Sequence, residues 1–410
     1  MTAIASTDEI RARFPALARV QGDDRIAYFD GPGGTQVPLD VVDAMSEYLF
    51  EHNANTYWHY PSSAETDAII AASREAMADF VGGAPDEIAF GANMTTLAFH
   101  LARAIGRSLA TGDEIIVTEL DHQANVAPWV EIARERMLAV RVAPMRTQDG
   151  TLDIDALASL IGPRTKVVAV GAASNALGTI NDVPRIASLA RAVGAITFCD
   201  AVHYAPHGLV DVRTLGCDWL LCSAYKFYGP HIGIVWGRRD LIASLDVPKV
   251  LPQHDTPPER LETGTLNHEG IAGAAAAVDF LASLARGNAS RRDRLRAAFK
   301  TLEARGQTLL ARAWAGFSSV DGVRLFGPPP NSRRTPTFSF AIDGIPADTV
   351  AKRLAERAIF VSSGDFYAST VIERLGYARD GLVRVGCACY TIENEVDRLI
   401  EAVRAIAKAR

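Results

Sequence analysis

The alternation of strand and helix signals through the middle of the chain constrains the fold more than any other feature. Short apolar runs occupy 114–118, 167–171, 195–199, 219–222 and 232–236. Helical periodicity fills 127–137, 154–161 and 183–193 between the earlier runs. Continuous apolar strands spaced by helices are buried on both faces, which predicts a mostly parallel sheet covered by helices. Asp113, Asp153 and Asp182 stand where turns and helix caps are expected. The predicted fold class is α/β.

The flanks read differently. Upstream, 38–52 and 62–81 are long helical patterns, the second opened by Ser62 with Glu65 three residues on, a capping-box signature. From Gly270 an Ala- and Arg-rich helical stretch runs to about Trp314. A loop at 327–330 follows, then strand signals at 337–342 and 382–389. That texture predicts a smaller α+β domain. The expected boundaries are a segment 1–25 packing near the small domain, a large domain over 26–268, and a long helix with the small domain over 269–410. A chain of 410 residues has room for two such units.

Composition removes several function classes. Lysine plus arginine is 42 against 48 aspartate plus glutamate, a net charge of −6, which argues against a phosphate-backbone partner. No apolar run reaches the ~18–20 residues that span a bilayer. The Ala-rich stretch 271–284 is too short and carries Asp279, and Asp8, Glu9, Arg11 and Arg13 interrupt any secretory core. The expectation is a cytoplasmic protein with no nucleic-acid or membrane partner. Five cysteines make neither a disulfide framework nor a zinc spacing, so no metal site is expected.

Four segments carry chemistry. In Cys222-Ser-Ala-Tyr-Lys-Phe-Tyr-Gly-Pro, Lys226 directly follows an apolar strand. Asp200 ends the run Ile196-Thr-Phe-Cys-Asp, and His203 comes three residues later. Phe90-Gly-Ala-Asn-Met-Thr-Thr opens a helical pattern, where free amides and the Thr95 and Thr96 hydroxyls form a phosphate cradle. His122, in Leu120-Asp-His-Gln-Ala-Asn, follows another strand and can stack on a planar ring. Singly, these are a solvated lysine, a cap or ion pair, a Thr cap and a surface histidine. Together they place an amine, a ring-nitrogen partner, a phosphate cradle and a stacking ring beyond strand ends, where open α/β sheets bind ligands. That set meets the demands of pyridoxal 5'-phosphate.

The chain resembles the class V aminotransferase and cysteine desulfurase-like group of fold-type I pyridoxal-phosphate enzymes. The resemblance runs from Tyr28-Phe-Asp-Gly-Pro-Gly-Gly to Arg384-Val-Gly-Cys-Ala-Cys-Tyr. Its most specific stretches are Ser174-Asn-Ala-Leu-Gly-Thr-Ile-Asn, Asp200-Ala-Val-His, Ser223-Ala-Tyr-Lys-Phe-Tyr-Gly-Pro and Glu262-Thr-Gly-Thr-Leu-Asn. It implies a large cofactor-binding domain and a small C-terminal domain. It also implies Lys226 as the Schiff-base amine and proton shuttle, with Asp200 at the pyridinium nitrogen and His122 on the ring. Thr95 and Ser223, with Thr96 nearby, hold the phosphate, and Asn175 and His203 lie near the ring hydroxyl. Lys226, His122 and His203 are the catalytic candidates. Thr265 reaches the phosphate of a neighbouring subunit, which implies a homodimer. Arg384, with Asn175 beside it, forks onto the carboxylate of an amino-acid substrate.

The departures narrow the reaction. His203 stands where the family often has glutamine, and Tyr225 where it has histidine, leaving a neutral hydroxyl for the phosphate. The loop Phe360-Val-Ser-Ser-Gly-Asp-Phe-Tyr-Ala carries Tyr367 roughly where the closest desulfurases carry their sulfur-accepting cysteine. A persulfide needs a thiolate, and no cysteine lies between Cys222 and Cys387. The expected activity is therefore a C–S β-eliminating lyase. The alternatives are a transaminase or racemase, a true desulfurase using Cys387 or Cys389 from a strand-like segment, or a non-catalytic scaffold. Asn53-Ala-Asn-Thr-Tyr-Trp-His-Tyr-Pro is either an interface loop or a pocket for a large side chain, with His59 as a substrate-binding candidate.

Overall fold

In the computed structural model of the chain, which describes residues 4–409, the middle apolar runs form one seven-stranded sheet. Its strands are β1 (Ile88–Gly91), β2 (Glu114–Thr118), β3 (Ala139–Ala143), β4 (Thr165–Gly171), β5 (Ile196–Asp200), β6 (Trp219–Ser223) and β7 (Gly233–Gly237). Their spatial order is β1-β7-β6-β5-β4-β2-β3. The neighbours from β6 to β3 pair in parallel. Only β7 runs against its neighbours, β6 and β1. The connection 224–232 is too short for a crossover helix, so β7 returns antiparallel.

Alternate residues of each strand feed different cores, as the two-residue period requires. In β4, Val168 and Val170 join Ile116, Cys199 and Ile186 on one face. Val167 and Ala169 join Val117, Leu101 and Trp129 on the other. The helices that cover the sheet and flank it are α1 (Leu39–Glu47), α2 (Pro61–Val81), α3 (Met94–Gly106), α4 (Ala127–Arg136), α5 (Ile154–Leu160), α6 (Val183–Ala192) and α7 (His268–Ser283). Asp153 and Asp182 cap α5 and α6 as expected, accepting from the Ala156 and Arg185 N–H groups at 3.0 and 3.2 Å.

A long helix, α8 (Arg291–Ser318), leads to a second sheet of β8 (Val323–Phe326), β9 (Thr337–Ile342), β10 (Ser362–Gly364) and β11 (Leu382–Gly386). Its order is β8-β9-β11-β10, all antiparallel. Phe317, Phe338, Phe340 and Val385 pack beneath α9 (Ala347–Ala355) and α10 (Glu393–Lys408). The segment before β1 straps the units together. Ile4 bridges to Ala285, Phe14 packs edge-on against Phe280 and Tyr390, and Arg11 pairs with Glu395 at 2.9 Å.

Four local expectations differ from the structure. The helix over 62–81 begins at Pro61, without a capping box. Proline suits the first helical position because no intrahelical partner exists there for an N–H. Glu65 turns instead to His52, at 2.8 Å. The pattern 38–52 ends in a wider π-turn over Tyr48–His52. The Ala- and Arg-rich stretch divides into α7 and α8, with Gly287 at φ +113° in the break. Cys387 and Cys389 lie beyond β11 rather than on it, because Cys387 N–H turns to Pro336 O (3.0 Å) and Ala388 N–H to Thr391 Oγ1 (2.9 Å). Among the described residues no helix is long and apolar enough to cross a membrane.

Candidate active site

The carboxyl ends of the parallel strands converge on one pocket. Asp200 ends β5, His122 follows β2, Asn175 follows β4, and Ser223, Tyr225 and Lys226 follow β6. Asn93, Met94 and Thr95 close it at the start of α3. Arg384, from the middle of β11, reaches the pocket mouth beside Lys226.

Lys226 lies on the short β6–β7 connection, held at its base by Ala224 N–H donating to Ile232 O (2.8 Å). Its Nζ donates to the carbonyl oxygens of Pro32 and of Gly33, the latter at 3.0 Å. Burial, reinforced by the Arg384 charge, lowers its pKa to about 7, so the neutral amine is accessible at ordinary pH. Asp200 accepts one bond, from Val202 N–H at 2.8 Å, and burial raises its pKa to about 6. His122 Nδ1 accepts from Ala124 N–H at 3.0 Å, which leaves the ring proton on Nε2. Burial, then the Lys226 and Arg384 charges, lower its pKa to about 4, so the ring is neutral. Burial and the nearby His207, Arg384 and Lys226 hold His203 well below its ordinary pKa. Its Nε2 lies 3.1 Å from Thr335 Oγ1.

Arg384 is buried between β9 and β10. Its Nε donates to Ser362 Oγ (3.1 Å), its Nη1 to Asn175 O (3.2 Å), and its Nη2 faces Asp30 Oδ1 at 3.5 Å. Burial lowers its pKa to about 10, which leaves it charged. Asn175 Nδ2 donates to Phe366 O (2.9 Å), while its buried Oδ1 has no partner.

Three candidates stand outside this pocket. The Thr96 hydroxyl turns back to Asn93 Oδ1 (3.1 Å), and Thr96 and Thr265 line an adjoining cleft. His59 is exposed on the loop before α2 and lines neither the pocket nor its mouth. Sequence reasoning missed Asp121 and Asp30. Asp121 accepts from Gly171 N–H (2.8 Å) and Asn125 Nδ2 (2.9 Å), and burial, with Asp200 nearby, raises its pKa to about 7. A Cβ on Gly171 would stand 2.8 Å from Asp121 Oδ1, so only glycine lets the carboxylate approach. The signal was the acid beside His122 with Asn125 four residues on.

A family model, aminotransferase class-V, matches residues 27–399. The chain belongs to that family. Class V aminotransferases and cysteine desulfurases depend on pyridoxal phosphate, and the chain is a pyridoxal-phosphate enzyme with the fold-type I architecture. Similar curated family members include the probable cysteine desulfurase 2 of Mycobacterium leprae (strain TN), 33% identical, covering 96% of this chain and 95% of the relative. The cysteine desulfurase of Pectobacterium carotovorum subsp. carotovorum (strain PC1) is 31% identical over 97% of each. Among solved family structures, apo cysteine desulfurase from Thermococcus onnurineus NA1 superposes with a TM-score of 0.90 at 27% identity, covering 100% of both chains. Cysteine desulfurase CsdA (S-sulfonic acid) from Escherichia coli gives 0.85 at 26% identity over 99% of each. The family cofactor fits the donors present. The pocket offers a neutralisable amine, a buried carboxylate, an unpartnered Asn175 Oδ1, and the Thr95 N–H, which at the second position of α3 has no intrahelical acceptor.

Proposed function

We propose that the chain is a lyase that breaks the bond between the β-carbon and a leaving sulfur of an amino acid. In this reading Lys226 holds the cofactor, Asp200 faces its ring nitrogen and His122 covers its ring. Thr95, through its hydroxyl and its free N–H, and Ser223 hold its phosphate. When bound, pyridoxal phosphate supplies the electron sink that makes the substrate's Cα–H acidic. Arg384 receives the α-carboxylate, exchanging its long contact with Asp30 for a two-pronged one. Lys226 Nζ, with its pKa near 7, takes the Cα proton and returns it to the departing sulfur. The Cα–H and Cβ–S bonds break, a thiol leaves, and water converts the remaining fragment to pyruvate and ammonia.

One observation carries this reading. All five thiols are buried, and none lines the pocket or its mouth. Burial pushes Cys387 and Cys389 up to about 12, so neither is a thiolate at neutral pH. The second reading, cysteine desulfuration, is favoured by the names of the relatives, and here it needs a thiol from another molecule. Exposed Phe50, Trp58 and Leu251 support a second copy of the chain as partner, and Thr265 borders a groove lined by Tyr57 and Val250, the chain neighbours of Trp58 and Leu251.

Incubation with cysteine and with S-substituted cysteines separates the readings. Elimination gives pyruvate and ammonia in equal amounts. Stoichiometric alanine in place of pyruvate, with the sulfur carried off on an added thiol or found as extra mass on Cys387 or Cys389, would overturn the lyase reading.

A further inference from the structure

The rim of the pocket carries two aromatic residues in an unusual backbone state. Phe366 and Tyr367 have φ of +58° and +55°, a conformation that bulky residues rarely adopt even once. The turn is held in place from several sides. Asp365 accepts from Tyr367 N–H (3.0 Å) and from Ser369 Oγ (2.6 Å). Phe366 O accepts from Asn175 Nδ2, and Tyr367 O accepts from Gln123 N–H (2.7 Å). Both anchors belong to the large domain, so the loop is tied across the mouth. Strain held by so many bonds points to a role for what it presents.

It buries one ring and presents the other: Phe366 is 9% exposed. The Phe366 ring lies under the Arg384 guanidinium, 4.5 Å from its centroid to Cζ. The Tyr367 ring stacks on His122 at 5.6 Å and 30°. A tyrosine that served packing alone would be covered, yet Tyr367 is 72% exposed. Its outer face lines the mouth beside Phe99 and Ala127. The cationic side chains at the mouth are Lys226 and Arg384, which the proposed reaction occupies, and Asp365 adds a negative charge. Among the described residues, no other cation lines it for an acidic side chain.

We infer that Tyr367, backed by His122 and held in place by the buried Phe366, forms an aromatic wall that receives the β-substituent, selecting cysteines whose sulfur carries a planar apolar group over cysteine itself. This assignment rests on the proposed lyase reading for its substrate class. Its test is binding, which does not require that reaction.

The probes are two unreactive carboxylates without the amino group, 3-(benzylthio)propionate and 3-(methylthio)propionate, titrated calorimetrically into the holoenzyme. The benzyl compound should bind about tenfold more tightly, the scale of one aromatic contact plus its buried area. Tyr367→Asn removes the ring and keeps a residue that tolerates positive φ. It should shrink the gap to less than about threefold while leaving the methyl compound unchanged; Tyr367→Trp should preserve the gap. Equal affinities in the wild type, or a gap that survives Tyr367→Asn, would overturn the wall. Pyruvate release from S-benzyl-cysteine is scored separately. A binding gap without pyruvate sinks the lyase reading alone, and pyruvate without a binding gap sinks the wall alone.

Discussion

The floor of the pocket and its rim are built by different means. Asp200, His122, Lys226 and Asn175 stand just beyond strand ends, so the register of one sheet sets their spacing. Asp200 pairs with Gly171, which Asp121 in turn holds. The rim, 362–367, comes from the small sheet and is tied to the large domain through single contacts to Asn175 and Gln123. The contrast suggests that the floor fixes which chemistry is possible, while the rim decides which substrate meets it.

Breaking the floor should have the largest effects. Lys226→Ala should lower turnover by about 10⁴-fold, the upper range for a positioned base. Borohydride should then no longer fix cofactor to the chain. Peptide mapping reads this, and label on another lysine in the wild type would move the site. Asp200→Asn should cost about 10²-fold in turnover, as for loss of one preorganised charge. The same change should stabilise the cofactor-free chain. Its carboxyl rises from 3.8 to about 6 on folding, so the folded chain keeps a proton that the unfolded chain releases. The burial penalty is therefore full above pH 6 and absent below pH 4. Asp200→Asn should gain up to about 3 kcal/mol at pH 8 and nothing near pH 4, read by thermal melts at both.

Arg384 joins floor and rim, and its substitution should give intermediate effects. Arg384→Lys should raise KM roughly tenfold with less change in kcat, since lysine keeps the charge and loses the fork. An unchanged KM would place the carboxylate elsewhere. Arg384→Gln also tests the Lys226 amine. Cofactor attachment to the apoenzyme should rise with pH through about 7, as Nζ loses its proton. Removing the Arg384 charge should move that midpoint upward, and Asp30→Asn should move it downward. The rate of colour development against pH reads both shifts. The smallest effect belongs to Cys387→Ala with Cys389→Ala, which should leave the ratio of pyruvate to alanine unchanged. Loss of alanine in the double variant would return the sulfur chemistry to those thiols.

The same contrast explains what was legible in the sequence. Lys226, Asp200 and His122 each follow a continuous apolar run, so their position at a sheet edge could be read from periodicity alone. Asp121 needed the Gly171 approach, which joins residues far apart in the chain. The aromatic pair needed more still: no local pattern predicts two successive positive-φ residues at Phe366 and Tyr367. They are held there by Asn175 and Gln123. The three aromatics before α2 read as an interface loop or a pocket, and Tyr57 packs on His254 in a groove apart from Lys226. Aromatic content was visible in both segments, but which one faces Lys226 is a tertiary fact.

The antiparallel return of β7 has a consequence in time as well as space. Lys226 sits on a tether clamped at both ends inside the central sheet, with Ala224 N–H already engaged by Ile232. The Ala224 amide can exchange with solvent only when the return onto β7 opens. The turn 365–368, by contrast, can release its two carbonyl anchors without disturbing a strand. Deuterium should therefore enter the rim sooner than the Ala224 amide at the foot of the lysine turn. An enzyme wired this way can admit and discharge ligands by local breathing while its reactive amine stays registered to a lattice of strands.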